Sequence, residues 1–367
     1  MSAEPRSRTP VVDTDIHNAV PAGALRPYLP ARWRRHAEVF GSHTHGGSLY
    51  PKGSPAAARR DAWPPSGLPA GGDLHFMREQ HLDHYGIEYG VLNCLHGAGT
   101  QLDPDYAEQL CRAVNDWQVA EWTDKEPRLR ASVAVPYEDA DRAAAEIRRV
   151  GPLPDFVQVL LVARSAAPLG DRRYWPMYEA AQDVGLPVGI HFGGGARGVP
   201  ITAAGWPSYY IEDHTAMAQA FQAHVVSLVV NGVFERYPGL RVVLIEGGFA
   251  WLPPLTWRLD HHWRRFADEV PHLRRPPSDY VREHLWVTTQ PMEEPHDPRQ
   301  VLDVFAHLGG TDRVMFSTDY PHWDFDDPWR AFGVSLPEPA RQAVFAGNAR
   351  ALYGLAPAAA AVGGVGA

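Results

Sequence analysis

Five side chains have the types and settings to do chemistry: Asp15 and His17 in VVDTDIH, His191 in VGIHFGG, Glu246 in LIEGGFAW and Asp319 in FSTDYPH. Each stands at or near the end of a short apolar run, where a β-strand gives way to a loop. Asp15 and His17 are two residues apart, and residues i and i+2 of a strand point to the same face. If the strand ends share one opening, Asp15, His17, His191 and Asp319 converge as a mixed nitrogen and oxygen donor set. That set suits one borderline divalent cation, Zn²⁺ first and Mn²⁺ second. Such an ion either lowers the pKa of a bound water toward about 7 or polarises a substrate oxygen.

Weaker candidates surround these five. Asn93 and His96 end the second apolar run and Gln290 ends the seventh, so all three are positioned to touch substrate or ligands. Arg164 follows the fourth run, where a guanidinium can hold a substrate carboxylate through two parallel hydrogen bonds. Trp206, Tyr209 and Trp323 offer rings for stacking on a planar substrate. His322, three residues after Asp319, can orient that carboxylate or contact the substrate. His43 and His45 fall in a glycine-rich stretch that reads as loop, and His261 and His262 fall on a helix face turned to solvent.

The elements that must carry these residues are repeated βα units. Strands are expected at 11–17, 89–95, 128–136, 156–162, 187–192, 240–246, 284–289 and 313–319, several of them apolar almost throughout, as in RVVLI and FVQVLLV. Helices are expected at 105–124, 138–150, 174–184, 215–236, 251–267, 298–308 and 337–353, with Gly151, Gly185 and Gly239 just past three of their ends. Eight strands joined mostly through single helices predict a (β/α)₈ TIM barrel, whose active site is built at the C-terminal ends of the strands. One barrel domain then covers 1–355, with a Pro-, Gly- and Arg-rich insertion over 18–72 as a lid or entrance wall and a low-complexity, disordered tail over 356–367. A second excursion over 191–210 supplies another wall.

Composition narrows the function class. The 367 residues carry a net charge of −9, with 45% hydrophobic and 21% charged residues, an ordinary globular balance. No basic stripe suits nucleic acid, and no apolar stretch approaches the ~18 residues of a membrane span. Two cysteines cannot build a disulfide framework. A cytoplasmic enzyme acting on a small molecule is the expectation, and the apolar face of the 251–263 helix offers a surface on which a homodimer could pair.

The chain resembles the amidohydrolase superfamily, in its amidohydrolase-2 group, which includes aminocarboxymuconate semialdehyde decarboxylase and resorcylate decarboxylase. VVDTDIH (11–17), VGIHFGG (188–194), RVMFSTDYPH (313–322) and FAGNARALYGL (345–355) carry the resemblance. It implies Asp15, His17, His191 and Asp319 as metal ligands, with Asp319 also handling a proton. Two departures matter: Asp15 stands where many members have histidine, and Glu246 stands where the group's decarboxylases place a catalytic histidine. Glu246 can act as general base toward a metal-bound water or can complete the coordination sphere. The only lysines, Lys52 and Lys125, lie outside the expected strands, so a lysine-bridged metal pair is not expected and one ion is.

Three functions follow in order of expectation. The first is hydrolysis of an amide, ester or lactone of a small cyclic or aromatic carboxylated compound, with Glu246 activating water. The second is non-oxidative decarboxylation of a similar aromatic acid. The third is a barrel that binds a ligand without turning it over.

Overall fold

The computed structural model describes residues 9–41, 55–193, 200 and 202–357. His43 and His45, with the rest of 42–54, parts of the 191–210 excursion and the tail from 358 onward lie outside them.

Eight parallel strands form one sheet in chain order: β1 Val11–Ile16, β2 Ile87–Leu92, β3 Leu129–Ala134, β4 Phe156–Val162, β5 Val188–His191, β6 Val242–Ile245, β7 Leu285–Thr288 and β8 Val314–Met315. The chain after β8 returns to β1. The amides of Thr14, His17 and Asp319 donate to the carbonyls of Phe316, Tyr320 and Asp15 at 3.1, 2.7 and 3.1 Å. These bonds bring the sheet round into the predicted (β/α)₈ barrel. The near-continuous apolarity of the strands has its cause here, since helices cover one face and the barrel interior the other. Val12, Val91, Val243, Ile245 and Met315, from four strands, form one buried cluster with Leu352 and Tyr353 at the end of the last helix, Asn348–Tyr353. That helix stoppers the barrel at the end opposite the strand tips.

Three expectations are corrected. β8 is two residues long rather than seven, because beyond Met315 the chain leaves the β7 ladder. Helix Ala31–Phe40 lies in the insertion read as irregular, and helices Leu74–Met77 and Pro277–His284 lie where no element was expected; the last runs directly into β7, leaving no loop to announce it. Gly185 has the left-handed φ of 77° expected at a helix end, but Gly151 has φ −55°. Gly151 is required for space, since a Cβ there would lie 2.5 Å from the Ile147 carbonyl oxygen.

No helix among the described residues is long and apolar enough to cross a membrane. Cys94 and Cys111 are free and buried.

Candidate metal centre and its cavity

Asp15, His17, His191 and Asp319 each offer one ligand atom, and these four atoms lie within 4.8 Å of one another, all buried. β1 reaches this point through an interruption in its pairing with β2 between Asp13 and Ile16, the kind of irregularity that re-aims a side chain. His17 and Asp319 lie just past β1 and β8, and His191 is the last residue of β5. Asp319 and Glu246 both have left-handed backbone, with φ 61° and 56°. For residues other than glycine this conformation costs of order 1–3 kcal/mol and persists where the surroundings enforce it.

The imidazoles are held from behind. His17 donates Nδ1–H to the Asn93 carbonyl at 2.7 Å, and His191 donates Nδ1–H to the Phe192 carbonyl. A carbonyl oxygen only accepts, so each Nδ1 carries the proton and each Nε2 is turned toward the carboxylates. His17 Nε2 lies 2.7 Å from Asp319 Oδ1, and His191 Nε2 lies 3.3 Å from Asp15 Oδ2. Two ring nitrogens facing two carboxylates require a positive charge between them, supplied either by protons on the rings or by a shared cation. The donor set therefore fits one divalent ion.

Electrostatics divides the two carboxylates. Burial works to raise the Asp15 carboxyl, but the charges of His191 and His17 and the hydrogen bonds from His191 and Asn93 outweigh it, holding Asp15 well below its ordinary value. Burial and the nearby charge of Asp324 push Asp319 well above its ordinary value, against the pull of His17. His322 Nδ1 also lies 2.7 Å from Asp319 Oδ1.

Beside this cluster opens a cavity of about 340 Å³. Cys94, Leu95, Val135, Leu160, Val162 and Phe192 give it apolar walls, and Arg164, His214, Glu246, His322, Trp323 and Asp324 bring polar groups to it. His96 is also in the wall, and burial pulls its pKa down to about 4, so it presents an uncharged ring. Apolar walls with a few convergent polar groups describe a small-molecule site.

The other expected residues divide. Asn93 is fully buried, donates Nδ2–H to Asp15 Oδ1 at 2.8 Å and does not line the cavity, so its amide holds the Asp15 carboxylate. Gln290 is fully buried too and donates to Asp319 Oδ2 at 3.3 Å and to Asp324 Oδ2 at 3.0 Å. Arg164 does line the cavity, but its Nη2 is gripped by both oxygens of Asp213 at 2.8 Å, so the expected carboxylate clamp is taken by a residue of the chain itself. Tyr209 is 70% exposed and opens the helix Tyr210–Thr215; the neighbouring Tyr210, not Tyr209, lines the cavity. Trp206 is half-exposed, with its ring 5.9 Å from the Arg164 guanidinium carbon, and it does not belong to the lining. Glu246 enters the cavity with Oε2 3.4 Å from His191 Nε2.

Sequence reasoning missed a supporting row inside the barrel. Tyr353 donates to Gln158 Oε1 at 2.9 Å, Gln158 Nε2 donates to Asn93 Oδ1 at 2.9 Å, and Ser132 Oγ donates to the same oxygen at 2.7 Å. The signal available was a lone polar residue, Gln158, in the apolar FVQVLLV. Also missed were His214 and Asp213, which follow the described limits of the 191–210 excursion.

An amidohydrolase family model matches residues 12–355. The chain belongs to that family. A gamma-resorcylate decarboxylase of Polaromonas sp. is 30% identical over 298 residues, covering 77% of this chain and 88% of that protein. Among solved structures, a dihydroxybenzoic acid decarboxylase of Polaromonas with bound manganese and 2-nitroresorcinol has a TM-score of 0.67 at 24% identity, covering 95% of this chain and 98% of its own. A 5-carboxyvanillate decarboxylase of Novosphingobium aromaticivorans with bound manganese has a TM-score of 0.70 at 20% identity, covering 94% and 97%. These likenesses bear on the barrel. The relatives of this amidohydrolase-family chain are enzymes, and so is it, in the hydrolase or carboxy-lyase class.

Proposed function

We propose that the protein is a non-oxidative decarboxylase of a small hydroxylated aromatic acid, working with a divalent cation held by Asp15, His17, His191 and Asp319. The observation that carries this reading is the 30% identity, over 88% of its length, to a gamma-resorcylate decarboxylase. It favours the second of the two catalytic expectations over hydrolysis. Manganese moves ahead of zinc as the cation, because the related decarboxylase structures hold it.

When bound, the cation supplies a Lewis-acid contact for the substrate's carboxylate and the adjacent ring oxygen. Leu160, Val162 and Phe192 enclose the ring and keep water from it. The Asp319 carboxyl, held between His17, His322 and Gln290, delivers its proton to the ring carbon that bears the carboxylate. The carbon–carboxylate bond then breaks, its electron pair returns to the ring, and CO₂ leaves. Asp319 is left as a carboxylate and takes a new proton before the next turnover. Glu246 has no proton to move in this sequence, whereas hydrolysis would make it the base.

The test is to incubate the manganese-loaded full chain with a panel of ortho-hydroxybenzoates and a panel of aryl amides and lactones. CO₂ release from a hydroxybenzoate is the expected result. Formation of a new carboxylate from an amide or lactone, with no CO₂ from any acid, would overturn the proposal.

A further inference from the structure

A second group of donors faces the same cavity. His214, Glu246 and Asp324 each offer one ligand atom, and the three atoms lie within 4.8 Å of one another. All three residues line the cavity, and their side chains are only 18%, 6% and 12% exposed. They come from three separate places: His214 from the helix Tyr210–Thr215, Glu246 from the tip of β6 and Asp324 from the loop after β8. Chain neighbourhood therefore does not explain their meeting.

The group is built rather than loosely assembled. His214 Nε2 lies 3.2 Å from Asp324 Oδ2. The His214 ring is boxed by Trp323, Tyr210 and Phe192, at centroid distances of 5.2, 5.5 and 6.1 Å. Gln290 pins Asp324 through its Oδ2 and its backbone oxygen, at 3.0 and 3.2 Å. The other end of that amide is an independent observation. Gln290 is fully buried, yet its Oε1 has no hydrogen-bond partner among the described residues. A buried acceptor left over on the amide that holds Asp324 is what a cation, or water on a cation, would satisfy. A histidine–aspartate hydrogen bond by itself accounts for His214 and Asp324, but not for a glutamate turned in against them or for the unused amide oxygen.

The geometry points to a second divalent-cation site, formed by His214, Glu246 and Asp324 and separate from the Asp15 cluster. One nitrogen and two carboxylate oxygens suit Mn²⁺ or another borderline ion. Glu246 stands between the two sites, 3.4 Å from His191 Nε2, so this assignment gives it a part that decarboxylation at the first site does not. No lysine is needed to join the sites, and Lys125 is engaged with Glu121 away from them.

The experiment is metal counting on the full chain, stripped by chelation and reloaded by equilibrium dialysis against Mn²⁺ alone, with electron paramagnetic resonance on the same samples. The expected result is two ions per chain, magnetically coupled, falling to one uncoupled ion in Asp324→Asn and in His214→Gln. A parent chain that saturates at one ion, lost in Asp15→Asn and kept in Asp324→Asn, would overturn the second site and leave the first standing. Two ions that survive both cavity-wall substitutions would overturn it as well, by placing the extra ion elsewhere. One ion lost in Asp324→Asn and kept in Asp15→Asn would support this site and overturn the first. No bound ion in the parent overturns both.

Discussion

At the scale of single residues, Asp319 carries the most conflict. It is buried, near another carboxylate, in a backbone conformation that side chains avoid, and it touches two imidazoles and an amide. Such a residue is retained for what it does rather than for stability. Asp319→Asn keeps the shape but has no proton to give at that oxygen, so CO₂ release should fall by about 10²–10⁴-fold, the usual range for a positioned acid. Steady-state assays at saturating Mn²⁺ check this, and a loss of less than about tenfold would contradict the role. His191→Ala should instead lower bound metal, which elemental analysis reads directly. Asp15, His17, His191 and Asp319 were legible in the sequence because each ends an apolar run. The roles of Asn93 and Gln290 were less so, since a polar residue at a strand tip reads the same whether it faces substrate or a ligand's back.

At the scale of elements, two contacts hold strands to the segments that join them. Gly71 has φ 74°, and a Cβ there would lie 2.3 Å from the carbonyl oxygen of His17. Gly71→Ala should therefore destabilise the chain by about 1–3 kcal/mol and displace His17, lowering metal occupancy together with the denaturation midpoint. Glu126 ties the stretch after helix Leu74–Met77 to the start of β3, accepting from Arg78 at 2.7 Å and from Arg128 at 2.9 Å. Burial works to raise its carboxyl, but those guanidinium hydrogen bonds win and hold it at about 2. A depressed folded-state pKa stabilises above the ordinary carboxyl value and loses that stabilisation as pH falls through the folded one. The stability gap between the parent and Glu126→Gln should thus be widest near neutrality and close between about pH 4.5 and pH 2, which acid titration of the unfolding midpoint can follow. The eight strands were legible from their apolar runs, and β4 matches residue for residue. β8 was overextended because FSTD continues the pattern while its hydrogen bonds go to β1 and the last helices, a tertiary choice that no local period records.

At the scale of the whole molecule, the proposed cation would bind only the folded state, since its proposed ligands come from β1, β5 and the end of β8, up to 304 positions apart from Asp15 to Asp319. An ion at about a hundred times its dissociation constant adds about 2.7 kcal/mol to folding. Chelation should lower the melting temperature by a few degrees and Mn²⁺ should restore it, as differential scanning fluorimetry would show. A melting curve indifferent to both would mean that these side chains do not hold metal. The barrel was legible as a whole because repeated βα units leave few topologies. The balance between hydrolysis and decarboxylation was not, because Glu246 at the tip of β6 suggests a base for hydrolysis while the whole-chain likeness favours decarboxylation.

The row from Tyr353 through Gln158 and Asn93 to Asp15 joins the final helical turn to the first strand. During synthesis β1 leaves the ribosome first, and Asn93 follows it long before Tyr353 is made to brace the row. The row is complete only once the closing turn docks, so removing that one turn should loosen Asp15 from the far side of the barrel.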